Sequence, residues 1–128
     1  MLDGRLQMIE TNEEELEQFN ELNMIAMQII LHAGNAKTLA DEAFQLAKEE
    51  RFQEAYKKLE EADTNGILNA HLAQFKVIQD EASGIVHAPS LLFTHAQDHL
   101  MTIKSEVGMI KKMVELYELI LHRKNIGC

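Results

Sequence analysis

Apolar residues recur at steps of three and four along most of the chain. The first stripe reads Leu16, Phe19, Leu22, Ala26, Ile29, Ile30, Ala33, Ala36, Ala40, Ala43 and Ala47, with small residues dominating after His32. Such spacing is one face of a helix, and small side chains let another helix approach closely. A second stripe runs Phe52, Ala55, Leu59, Ala62, Gly66, Ala70, Ala73 and Val77. It stops at Ala82-Ser83-Gly84, where Gly84 can act as a cap. The third follows Pro89, a residue suited to the first turn of a helix. It carries Leu92, Ala96, His99, Ile103, Val107, Ile110, Val114, Tyr117 and Leu121, beside a second seam of Met109, Met113, Leu116 and Ile120. Between the first two stripes, Lys48-Glu49-Glu50-Arg51-Phe52 contains neither Gly nor Pro. The pattern alone therefore also allows one uninterrupted helix from about Glu13 to Asp80. Residues 1 to about 12 read as a loosely held terminus.

One Pro, six Gly and few runs of β-branched residues leave helix as the local preference nearly throughout, so an all-α fold follows. A monomer with a few long helices has little room to hide two apolar seams on one of them. Association into a larger bundle covers the second seam, and a homo-oligomer is expected.

The 128 residues, 46% of them hydrophobic, suit a single domain spanning 1–128. Cys128 is the only cysteine, which excludes an internal disulfide and a cysteine metal cage and fits a reducing compartment. No stretch approaches the roughly 18 uninterrupted apolar residues of a membrane span, and acids occupy the place of a signal peptide's hydrophobic segment, so a cytoplasmic protein is expected. Twelve Lys and Arg against 21 Asp and Glu give a net charge of −9, which repels a phosphate backbone and argues against nucleic acid as a partner.

The best claim to chemistry is His95-Ala96-Gln97-Asp98-His99-Leu100-Met101, which puts two imidazoles and a carboxylate at i, i+3 and i+4 on one helical face. Three readings stand side by side on the residues alone. The group is a satisfied polar layer in a non-enzymatic bundle, stabilised there by a metal. It is a metal site of helix-borne spacing, for which His71 or His32 would have to supply a third ligand, unless copies of the chain share the ion. Or His95 is a nucleophile that accepts a phosphoryl group, with Asp98 or His99 fixing the ring and hydrogen-bond donors such as Gln97 and His99 softening the acidic field.

The motif His95-Ala-Gln-Asp98-His99-Leu-Met101-Thr resembles the signature of enzyme IIA of the lactose/chitobiose/cellobiose family in the bacterial sugar phosphotransferase system. The likeness extends to Ile29-Ile-Leu-His32-Ala-Gly34-Asn-Ala-Lys-Thr-Leu-Ala40, Glu42-Ala43-Phe44, Asn69-Ala70-His71, Gln79-Asp80-Glu81-Ala82-Ser83-Gly84 and Leu116-Tyr117-Glu118.

The resemblance implies three antiparallel helices in a spectrin-repeat-like bundle, over about 13–49, 52–82 and 89–124, and three monomers in a nine-helix homotrimer. It implies that His95 takes phosphate from the phosphohistidine carrier HPr and passes it to a cognate enzyme IIB, with His99 as an orienting neighbour and Gln97 as a weaker one. Asp98 would line the threefold axis and bind a divalent metal such as Mg2+ there. The resemblance implies no organic cofactor and no direct contact with sugar, the membrane being met only through the IIC permease. His32 and His71 match positions without an assigned catalytic role. The sequence departs from the pattern at Glu50-Arg51, where relatives more often carry Gly-Asp, at Lys37, where Arg is usual, and in an extension at its start. Ala96 resembles the chitobiose and cellobiose branch more than the lactose branch, where Gly is usual.

Overall fold

In a computed structural model of the protein, which describes residues 2–88 and 90–126 and the side chains of 12–88 and 90–124, every regular element is helical. Helix α1 (Leu2–Lys48) turns back into an arm made of α2 (Phe52–Glu61), a π-helical turn (Ala62–Ile67) and α3 (Leu68–Ala82). After the connection at 83–90, α4 (Leu91–Ile126) returns alongside α1. The result is a three-helix antiparallel bundle.

The small-residue face of α1 makes this packing possible. Ala26, Ala33, Ala36, Ala40 and Ala43 are fully buried, and Ala55, Ala62 and Ala70 of the second arm and Ala96 of α4 meet them without exposure. Larger side chains fill between them, with Ile29, Leu100 and Val114 the largest that are fully enclosed. Cross-helix ion pairs frame the surface: Lys37 reaches Glu106 of α4 at 3.9 Å, and Lys58 reaches Glu42 of α1 at 3.1 Å.

The second arm breaks its α-helical winding at Ala62–Ile67. A π-helical turn carries an extra residue, so some carbonyls lose their usual partner. Side chains compensate here, as Thr64 Oγ1 donates to the Glu60 carbonyl at 2.9 Å and Asn69 Nδ2 to that of Asn65 at 2.7 Å. The turn sets Gly66 directly against Ala36 of α1. Periodicity predicts the buried positions of this arm but not the extra residue.

The first junction is a break, not continuous helix. The Glu50 N–H donates to Ala47 O and the Arg51 N–H to Leu46 O, each at 3.0 Å, which closes the end of α1. Glu50 takes the left-handed conformation with φ 63°, which favours glycine at a helix end. Arg51 makes paired hydrogen bonds to Glu54, which hold the Arg51 guanidinium above its ordinary pKa and the Glu54 carboxyl below its own.

Other expectations need correction. Helix α1 begins at Leu2, not near residue 13, since Leu2, Arg5, Leu6, Gln7, Met8 and Glu10 are good helix formers and no Pro interrupts them. Leu16 and Phe19 are exposed, and the core starts at Leu22. The reason is register. Asn23 faces Ser90, where α4 begins, so α1 before it has no α4 beside it. Pro89 and Cys128 lie outside the described residues.

Candidate functional site

Where α4 begins is decided by Ser90. Its hydroxyl accepts from the Phe93 N–H at 3.2 Å, its carbonyl accepts from the Thr94 N–H at 3.1 Å, and its Oγ donates to Asn23 Oδ1 at 2.6 Å. That is an N-cap, and the same side chain ties the helix start to α1. Ser90 is 6% exposed, so the tie is sheltered from water. The sequence reading missed this residue, although a serine three positions before an apolar Phe93 is a recognisable cap signal.

His95 stands in the second turn of the helix so capped. Phe93, Ala96 and Leu100 face the core, which turns His95 and Asp98 outward and leaves His99 half-buried. The His95 and His99 rings lie nearly parallel, with centroids 6.0 Å apart and planes 20° apart. This is what an i, i+4 spacing gives. No hydrogen bond joins the two rings, and among the described residues none holds His95 in place. Its imidazole therefore presents a free edge to solvent, with the His99 ring beside it.

Gln97 is half-buried and sits about 200° round the helix from His95. A single chain does not bring it to the imidazole. Asp98 is one turn from His95 on the exposed side. Among the described residues no group of three or more His, Cys, Asp or Glu side chains could hold a metal ion, so His32 and His71 do not complete a site with the motif. Any metal role of Asp98 needs ligands from another copy of the chain.

Chemically, the arrangement suits covalent acceptance of a small anionic group. An accessible imidazole nitrogen is a competent nucleophile. The nearby helix N-terminus places partial positive charge on the side from which α4 starts, which favours an acquired anion modestly at this distance. No helix among the described residues is long and apolar enough to cross a membrane.

Comparison with known proteins agrees with this geometry. A family described as "PTS system, Lactose/Cellobiose specific IIA subunit" matches residues 24–118. The chain is 41% identical over 104 residues to the lichenan-specific phosphotransferase enzyme IIA component of Bacillus subtilis, covering 81% of this chain and 94% of that protein. It is 35% identical over 109 residues to the N,N'-diacetylchitobiose-specific EIIA component of Escherichia coli, covering 85% and 88%. Among solved structures, the cellobiose-specific enzyme IIA of Bacillus anthracis superposes with a TM-score of 0.73 at 36% identity, covering 78% of this chain and 91% of that one. The chitobiose IIA in complex with HPr from Escherichia coli gives a TM-score of 0.68 at 32% identity, covering 77% and 95%.

Proposed function

The chain belongs to the lactose/cellobiose-specific IIA family of the phosphotransferase system, and from that membership we propose that His95 is the phosphoryl acceptor of a cytoplasmic sugar-uptake relay. As a IIA component it is a phosphotransferase component. The donor is phospho-HPr, in keeping with the HPr complex of a structural relative, and the acceptor is the cognate enzyme IIB. The observation that carries the reading is the exposed, unbonded imidazole of His95, 6.0 Å from the ring of His99 at the capped end of α4.

In the forward step a nitrogen of His95 attacks the phosphorus of phospho-HPr in line, and the bond to the donor histidine breaks. In the return step a nucleophile of enzyme IIB takes the group and regenerates unmodified His95. Little covalent machinery is needed, because such transfer rests on positioning and on tolerance of charge. His99 serves as the neighbour that meets the phosphoryl oxygens.

The chain works as a homotrimer built on α4. Leu91, Asp98 and Ser105 follow at intervals of seven, a coiled-coil repeat, and all three are exposed in the single chain. The seam of Met109, Met113, Leu116 and Ile120 is 49 to 56% exposed. In a trimer joined there, three copies of Asp98 converge on the axis and hold a divalent cation such as Mg2+ between them. The transported sugar is a disaccharide of the chitobiose or cellobiose kind more than lactose, in line with Ala96 beside the active histidine. No residue of this chain touches it.

The test is phosphorylation by phosphoenolpyruvate, enzyme I and HPr. One acid-labile phosphate per chain on His95 is expected, with none on His95→Ala. Absence of label on wild type, or equal label on the variant, refutes the assignment.

A further inference from the structure

The bundle's apolar core ends in the first turn of α4, where Phe93 is buried and Leu92 packs partly buried against it. Leu22 of α1, Val77 of α3 and Phe93 of α4 are the last buried apolar residues towards that end. Beyond them every described residue of α1 from Asn12 to Glu21 is exposed, and of the last five residues of α3 only Asp80 is even half-buried. In the connection that follows, the usual order is inverted. Val86 is 84% exposed, while the His87 side chain is 11% exposed. Buried polar groups and exposed apolar ones are the informative departures from ordinary burial.

The His87 side chain is largely sheltered and has a partner. Its Nε2–H donates to Asp80 Oδ2 at 3.0 Å, closing a loop that leaves α3 through Gly84 at φ +88° and an Ile85 N–H to Asp80 O bond of 2.9 Å. Asp80 thus anchors the connection twice, by its carbonyl and by its carboxylate. The other imidazole nitrogen, Nδ1, is buried with no partner among the described residues. A buried unpaired nitrogen costs stability, so the imidazole is not explained as the cheapest way to fill this space.

We propose that the Asp80–His87 pair is a positioning element for phosphoryl transfer at His95. Ser90 ties the start of α4 to α1, and His87, three residues earlier, ties it to α3. These two polar ties take over where the apolar core ends and fix where the second turn of α4 points its imidazole. In-line transfer is sensitive to displacements on the order of 1 Å, which can lower a rate roughly 100-fold. The inference rests on His95 being the acceptor.

The experiment measures transfer from phospho-HPr to the full chain carrying His87→Ala, Asp80→Ala, both, or His87→Gln, whose amide can still donate to Asp80. We expect kcat to fall roughly 10-fold to 100-fold in each alanine variant, with KM within about twofold and the double variant no worse than either single one. His87→Gln should restore most of the rate. The His95 ring resonance should shift in the alanine variants and return in His87→Gln. Full kcat in His87→Ala, a rise in KM alone as expected of a docking surface, or additive losses would overturn the proposal. So would failure of both single variants to fold, which would make the pair a determinant of folding. Absence of label on wild type would instead overturn the assignment of His95.

Discussion

A Cβ built on Gly66 stands 2.4 Å from Ala36 Cβ and 2.8 Å from Ala36 Cα. Backbone is among the atoms struck, so no side-chain rotation relieves the clash. The π-helical turn and α1 are in contact at a distance only glycine allows. Gly66→Ala should therefore destabilise the protein despite alanine's better helix propensity, by about 1–3 kcal/mol as for other overpacked sites. Urea unfolding followed by circular dichroism should show a lower midpoint. A midpoint equal to or above wild type would mean that the two helices separate there at no cost.

Glu50 offers the opposite case. Its φ of 63° lies in the left-handed region, where an L side chain is strained and glycine is not. Its carboxylate makes no ion pair among the described residues that would offset the strain. Glu50→Gly should stabilise the turn by about 0.5–1 kcal/mol, the relief being partly cancelled by glycine's greater freedom when unfolded. Thermal unfolding of the variant beside wild type checks the sign.

These two positions show what a sequence carries and what it hides. The three arms and most of their buried faces were legible, because burial imposes a period of 3.6 and Ala33 to Ala47 obey it. Leu16 and Phe19 obey it too and are still exposed, since a period says which face is apolar but not where a partner helix ends. The π-helical turn at Gly66 and the left-handed Glu50 are local departures that periodicity cannot register. At the site, chemistry singled out His95, Asp98 and His99, yet three readings stayed open until the family pattern ranked them. The Asp80–His87 pair was out of reach, because a loop residue's partner depends on where the loop lands.

Tyr56 should reveal itself at alkaline pH. Burial pushes its hydroxyl up to about 12, helped by the hydrogen bond that it donates to Glu118 Oε1 at 3.0 Å and by the negative charge of Glu118 and Glu115. An unfolded tyrosine ionises near pH ~10. The folded state thus keeps this proton when the unfolded state has lost it, so the contribution is complete below pH ~10 and fades as pH rises towards 12. Absorbance at tyrosinate wavelengths should show a late-titrating phenol that Tyr56→Phe removes. Stability of wild type should fall between those limits more steeply than that of Tyr56→Phe, and parallel curves would contradict the assignment.

The proposed trimer makes a paired prediction about its seam and its axis. Leu116 is 56% exposed in the single chain and lies on the seam assigned to the threefold contact. Leu116→Glu would bring three carboxylates into an apolar interface, a burial charged groups do not tolerate unpaired. Sedimentation should find it monomeric with its helicity intact, whereas a trimer of wild-type strength would remove the seam from the interface. Asp98 is subject to the converse logic. Three converging carboxylates repel one another unless a cation lies between them. Chelation should lower the melting temperature of the wild-type trimer, and Asp98→Asn, which needs no counter-charge, should melt at the same temperature with and without chelator. If Asp98→Asn remains as sensitive to chelator as wild type, the cation is held elsewhere and Asp98 is not its ligand.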